Sequence, residues 1–185
     1  KEAFLEEIKK TRDSGKEHGF LICLDKNNNK NGRLSVPKKR CIGEECGINI
    51  ENVDCPDIVQ GAFHTHPNIK NVIRLAGRKL SERETDIATK IYKKRYEEHG
   101  IPLTTPSHHD LTDTLLNQCL GMTVGTVCTG TDLDIEKVEC WTVKKDKVNV
   151  NHCIQANEEH KERTSERPRK WIKPLFDREI INLKT

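Results

Sequence analysis

His64-Thr65-His66-Pro67 and Ser107-His108-His109-Asp110 are the stretches of this chain best equipped for chemistry. In a strand, residues i and i+2 share a face, so the His64 and His66 imidazoles can reach one metal ion. Pro67 ends such a strand and leaves the pair at a sheet edge that can open to solvent. Ser107 suits the cap of a helix whose third position is Asp110. A carboxylate on that first turn faces outward and can act as a third ligand. Two histidines and one carboxylate leave a fourth tetrahedral position for water, the pattern of a catalytic zinc site. Glu17 precedes the apolar run Gly19–Leu24, a place to fix a carboxylate beside a metal-bound water. Each piece alone has an ordinary counterpart: surface histidines at a strand end, a helix cap like Ser81 with Glu84, an exposed loop glutamate.

Taken together and in this order, Glu17, His64-x-His66-Pro67 and Ser107-x-x-Asp110 resemble the motif of the JAB/MPN (JAMM) zinc metallopeptidases, over about residues 1–154. The resemblance implies an α/β fold of the cytidine-deaminase-like kind, a three-layer arrangement with a mixed sheet flanked by helices. It implies Zn²⁺ on His64, His66 and Asp110, with Glu17 as general base and then acid. Ser107 would hydrogen-bond the oxyanion that develops on the attacked carbonyl. The implied activity is a peptidase or isopeptidase that cleaves after the C-terminal Gly-Gly of a ubiquitin-like protein, with that protein or its conjugate as substrate. Two features depart from the family pattern. An insertion over about residues 68–105, including the helix expected from Glu82, separates the two motifs and could gate the cleft or bind substrate. Glu17 also sits closer to the strand glycine than is usual. Alternatives of other classes are a scaffold or binding module without turnover, and a DNA-associated relative of the RadC type.

The elements that must position these residues follow from pattern. Ala3, Phe4 and Ile8 predict a short amphipathic helix ending near Asp13-Ser14-Gly15. Gly19–Leu24 reads as a strand buried on both faces, and Arg33–Val36 as its hairpin partner across the polar turn 25–32. Ile48–Ile50 is a further strand candidate, and Ile58–Phe63 is a strand that runs into His64. Helices are expected over about Glu82–Glu98 and from Ser107 to about Leu120. Met122–Cys128, Ile135–Val143 and Lys147–Ile154 read as three more strands. Residues 155–185 form a charged C-terminal extension, whose late apolar group from Trp171 to Leu183 docks on the domain or on a partner, a second copy included.

Composition sets the outer limits. The chain has 185 residues, one domain's worth with an extension, and no apolar run near the roughly 18 residues that would span a membrane. Its first ten residues are charged and helix-patterned, unlike a signal peptide, so a cytoplasmic location is expected. With 33% charged residues but a net charge of only +3, the balance argues against a dedicated nucleic-acid binder. Lys38-Lys39-Arg40 accordingly reads as a solvated turn. The eight cysteines form no CxxC pair and read mostly as buried thiols, with disulfides an option for a hyperthermophile. Cys41, Cys46 and Cys55, with Cys153 or His152, offer a second option as a structural zinc site. His108 and His109 read as solvent-exposed first-turn residues, ahead of groups behind the ligands or rivals for the metal.

Overall fold

The first helix, α1 (Glu2–Ser14), ends where Gly15 adopts a left-handed conformation with φ 69° and donates its N–H to the Thr11 carbonyl at 2.8 Å. The computed structural model describes residues 1–24, 34–35, 41–42, 58–67, 83, 104–163 and 167–184. After Gly15 the chain enters β1 (His18–Leu24), where Phe20, Leu21 and Ile22 are all buried. Consecutive buried side chains mean that both faces of the strand are covered, as its unbroken apolar run predicts. The short strands β2 (Leu34–Ser35) and β3 (Cys41–Ile42) pair antiparallel with β1, and β4 (Ile58–His66) pairs antiparallel along its other side.

Between β4 and its parallel neighbour β5 (Thr126–Thr131) lies α2 (His108–Cys119). A parallel pair needs a crossover connection, and α2 is part of it. The chain then turns at Asp132 and Leu133 into β6 (Asp134–Val143), antiparallel to β5. Next come α3 (Val150–His160) and β7 (Phe176–Asn182), which pairs antiparallel with β6. The sheet order is β2-β1-β4-β5-β6-β7, with β3 also on β1.

Strand alternation divides the interior between the two faces of the sheet. Val127, Trp141 and Val143 face Leu111 and Leu115 of α2, Ala156 of α3, and Ile172 and Phe176. Cys128, Val138 and Cys140, on the opposite face, meet Phe20, Phe63 and Ile8 of α1. The result is a mixed sheet with α1 on one side and α2 and α3 on the other. Leu111 and Leu115 are fully buried, so truncating either to alanine would cost about 2–5 kcal/mol.

Three expectations are corrected. Residues 147–154 are not a strand: Lys145–Lys147 form a 3₁₀ turn and α3 begins at Val150. Val148, Val150 and Ile154 mimic strand alternation, but the Asn149 side chain accepts from the His152 N–H and His152 returns a bond to the Asn149 N–H, closing a capping box. Val150 and Ile154 are exposed, while Ala156 and Glu159 are buried, at helical spacing. Five of the eight cysteines are not thiols: Cys119–Cys153 joins α2 to α3, Cys128–Cys140 joins β5 to β6, and Cys23 is disulfide-bonded too, while Cys46 and Cys55 lie outside the described residues. Cys128 and Cys140 stand directly opposite on antiparallel strands, which brings their sulfurs within bonding reach. Its disulfide also removes Cys153 from any second metal site. The third correction, at His108, belongs with the site.

The stretch expected as an extension is woven into this fold. Position 154 lies inside α3, Ile172, Leu175 and Phe176 enter the α2–α3 core, and β7 runs along β6 from Val143 to Lys137. The expected helix over Glu82–Glu98, apart from helical Arg83, and the candidate strand Ile48–Ile50 lie outside the described residues, as does the Lys38-Lys39-Arg40 turn. Among the described residues no helix is long and apolar enough to cross a membrane.

Candidate metal centre

His64 and His66 close β4, gripped from both sides. Gly19 of β1 is paired with His64, and a Cβ on Gly19 would strike the Phe63 carbonyl oxygen at 2.3 Å. Only glycine lets β1 lie this close to the ligand strand. On the other side, β5 pairs Thr129 with His64 and Thr131 with His66. The Thr131 hydroxyl donates to the His66 carbonyl at 2.8 Å, pinning the strand end.

The helix side is set by a cap. Ser107 is extended at the N-cap, and its Oγ accepts from the Asp110 N–H at 3.2 Å. In return Asp110 Oδ2 accepts from the Ser107 N–H at 2.9 Å. That same Oδ2 stands 3.3 Å from His64 Nε2 and 3.4 Å from His66 Nε2, and the two Nε2 atoms are 3.2 Å apart. One carboxylate thus caps α2 and completes a triangle with both imidazoles.

The triangle fits a zinc ion. Ligands about 2.0–2.1 Å from a tetrahedral metal lie about 3.3–3.4 Å from one another, the edges observed here. His64, His66 and Asp110 are the group of side chains that could hold a metal ion among the described residues. His64 keeps 28% of its side-chain surface exposed, so the site is open on one side.

Electrostatics point the same way. Burial pulls the His64 imidazole down, but Asp110, with Glu17 and Asp113 behind it, outweighs burial and raises it to about 9. Burial likewise pushes the Asp110 carboxyl up, and His64 and His66 overcome that to hold it well below the ordinary carboxylate range. Two imidazole nitrogens and a carboxylate oxygen facing one point attract a cation, a proton or a metal.

The remaining expected site residues are near this triangle with different standing. Ser107 adjoins Asp110 through the reciprocal cap. Glu17 lies exposed in the link between α1 and β1, outside the ligand group, yet close enough for its charge to act on His64.

His108 is the third correction: it is fully buried rather than solvent-exposed. Its Nδ1 accepts from the Arg169 N–H at 3.1 Å, its Nε2 faces Glu159 at 3.3 Å, and the Arg169 guanidinium holds both Glu159 and Glu162. His109 is half-buried and stacks on His160 with ring centres 4.3 Å apart. Sequence reasoning also passed over Thr65, His18, Glu7 and Thr11, which are buried behind β4. For Glu7 and Thr11 the signal was a polar stripe at helical spacing in α1.

Searched against protein-family models, curated proteins and solved structures, the chain returned no match.

Proposed function

We propose that this chain is a zinc metallopeptidase of the JAB/MPN kind, cutting the peptide or isopeptide bond after the C-terminal Gly-Gly of a ubiquitin-like protein. The observation that carries the reading is the triangle of two Nε2 atoms and one carboxylate oxygen with edges of 3.2–3.4 Å. It stands at a strand end and a helix start, in the order HxHP then SxxD. The helix-flanked mixed sheet supports the family's domain type, and the motif order supports the substrate class.

Zinc bound there would supply a water nucleophile ionised near neutral pH and a Lewis acid for the scissile carbonyl. Glu17, outside the ligand set, takes a proton from the attacking water and hands it to the leaving amine nitrogen. A hydroxyl has one donor and two acceptor sites. Ser107 Oγ uses an acceptor site on the Asp110 N–H, which leaves its O–H to donate to the oxyanion. The sheet and the cap hold His64, His66, Asp110 and Ser107 before substrate arrives, so these groups need little reorganisation.

A metal-binding module without turnover is the second reading, favoured by the exposure of Glu17 and its place outside the ligand group. The disulfides favour an oxidising compartment, or a hyperthermophile's interior, over an ordinary cytoplasm.

The test is zinc per chain by elemental analysis, for wild type and Asp110→Ala together. One zinc in the wild type and none in the variant is expected. Zinc retained by Asp110→Ala would refute the site. Zinc-loaded protein that releases nothing from a Gly-Gly-linked ubiquitin conjugate would favour the module.

A further inference from the structure

A layer of buried polar side chains lies directly behind the ligand strand. Glu7, Thr11 and Ser14 recur at spacings of four and three, so they line one face of α1. Glu7, Thr11 and Thr65 are fully buried, and His18 is 6% exposed. Thr65 is the residue between the two histidines, and period two turns it to the opposite face of β4. Its Oγ1 accepts from the His18 N–H at 2.9 Å and pairs with the Thr11 hydroxyl at 2.5 Å. The His18 ring spans the rest of the stripe, with Nε2 2.9 Å from Ser14 Oγ and Nδ1 3.5 Å from Glu7. Lys10 donates to Glu7 from the rim at 3.0 Å.

Such a layer is an expensive way to fill an interior. Burying a polar group is unfavourable unless its bonds are made, and an apolar set of the same shape is often at least as stable. The same face of the sheet shows the apolar solution a few residues along, where Ile8, Phe20 and Phe63 pack together. The polar members converge instead on two points: the hydroxyl of Thr65, the residue between His64 and His66, and His18, the neighbour of Glu17. Hydrogen bonds are directional and packing is not, so this layer constrains orientation where apolar contacts would only constrain volume.

We propose that Thr11, Ser14, His18 and Thr65, anchored by Glu7, are positioning residues of the metal centre. They set the twist of the His64-Thr65-His66 segment, and with it the separation of the two Nε2 atoms, and they hold the backbone that carries Glu17. This inference rests on the metal reading of the triangle. Groups behind metal ligands typically change metal affinity by 10–100-fold when removed.

Thr65→Val deletes the hydroxyl and keeps the β-branched shape, whereas Thr65→Ser keeps the hydroxyl. Co²⁺ titrations of the full chain, followed by visible absorption, read both affinity and ligand geometry. Thr65→Val should bind Co²⁺ at least tenfold more weakly than wild type with a displaced absorption band, and Thr65→Ser should recover both. Wild-type affinity and spectrum in folded Thr65→Val would overturn the proposal. If Thr65→Val does not fold, Thr11→Val takes its place: a weaker, spectrally shifted site supports the layer, and an unchanged one sinks it. Co²⁺ bound by wild type, lost in Asp110→Ala and untouched in Thr65→Val would sink the layer alone. A wild type that binds no Co²⁺ would sink the metal reading and this inference with it.

Discussion

The two elements that meet at the candidate metal centre are secured by different means. The strand side, β4, is held by hydrogen bonds along its length, from β1 on one edge and β5 on the other, with the polar layer of α1 behind it. The helix side, α2, presents Asp110 from a first turn held by its own cap and by one buried histidine. That histidine, His108, is held in turn by Arg169, 61 residues further along. Many weak ladder bonds hold the strand's position, so losing one moves it little, whereas the proposed polar layer under Thr65 sets its twist. A few strong and interlinked restraints hold the helix start, so losing one exposes the rest. The side of the site with fewer partners is therefore the more fragile, although its ligand is the better buried of the pair formed by Asp110 and His64.

Asp110 is where the comparison can be broken most completely, because one oxygen serves the cap and is also the candidate ligand. Asp110→Ala should lose all zinc and about 1 kcal/mol of stability through the cap. Asp110→Asn should keep most of that stability, since an amide oxygen still accepts from the Ser107 N–H, while zinc binding falls at least tenfold. Elemental analysis and urea unfolding of both variants separate the two roles.

On the strand side, Glu17→Gln should retain one zinc per chain and lose turnover on a Gly-Gly-linked conjugate by about 10²–10⁴-fold. Undiminished turnover would place the base elsewhere.

The third expectation concerns pH in the metal-free protein. His64 is raised from 6.5 to about 9 by Asp110, Glu17 and Asp113 against opposing burial. A raised folded pKa contributes stability that is complete below about pH 6.5 and lost as pH rises through about 9. Urea midpoints of stripped protein should fall across that window by the equivalent of about 3 kcal/mol. In zinc-loaded protein His64 carries no proton to lose, so its midpoints should stay level, and zinc uptake at neutral pH should release about one proton. A stripped protein with no decline across the window would contradict the pairing of His64 with Asp110.

The smallest effect on zinc binding sharpens the helix side. Arg169→Ala keeps the backbone bond to His108 but leaves Glu159 buried without its cation. A loss of about 2 kcal/mol is expected, less than for a fully buried pair because Arg169 is partly exposed. Zinc content should be unchanged with metal in excess, and a fall in zinc would show that the clamp reaches Asp110.

Local patterns carried much of this architecture. The Gly15 stop of α1, the buried run of β1, the strand into His64 and the Ser107 cap each depend on neighbours within a few residues, and each is legible in the chain. The misread segment 147–154 shows the limit of such patterns. Its valines alternate like a strand, yet the Asn149–His152 box and the burial of Ala156 and Glu159 against α2 select a helix. The site divided the same way. The spacing of His64 and His66, and of Asp110 from its cap Ser107, marked the candidate ligands in two separate motifs. The burial of His108 and the polar layer under Thr65 left only faint marks.

By itself, then, the sequence determined which side chains share a face, where helices start and stop, and which residues have metal-binding chemistry. These are properties of period and of short-range hydrogen bonding. Only the tertiary structure decided that Asp110 meets the two histidines with edges of 3.2–3.4 Å, that Arg169 reaches His108, and that Cys119 finds Cys153 across 34 residues. Those contacts join segments far apart in the chain, and their partners are chosen by the packing of the whole sheet and its helices rather than by any local preference.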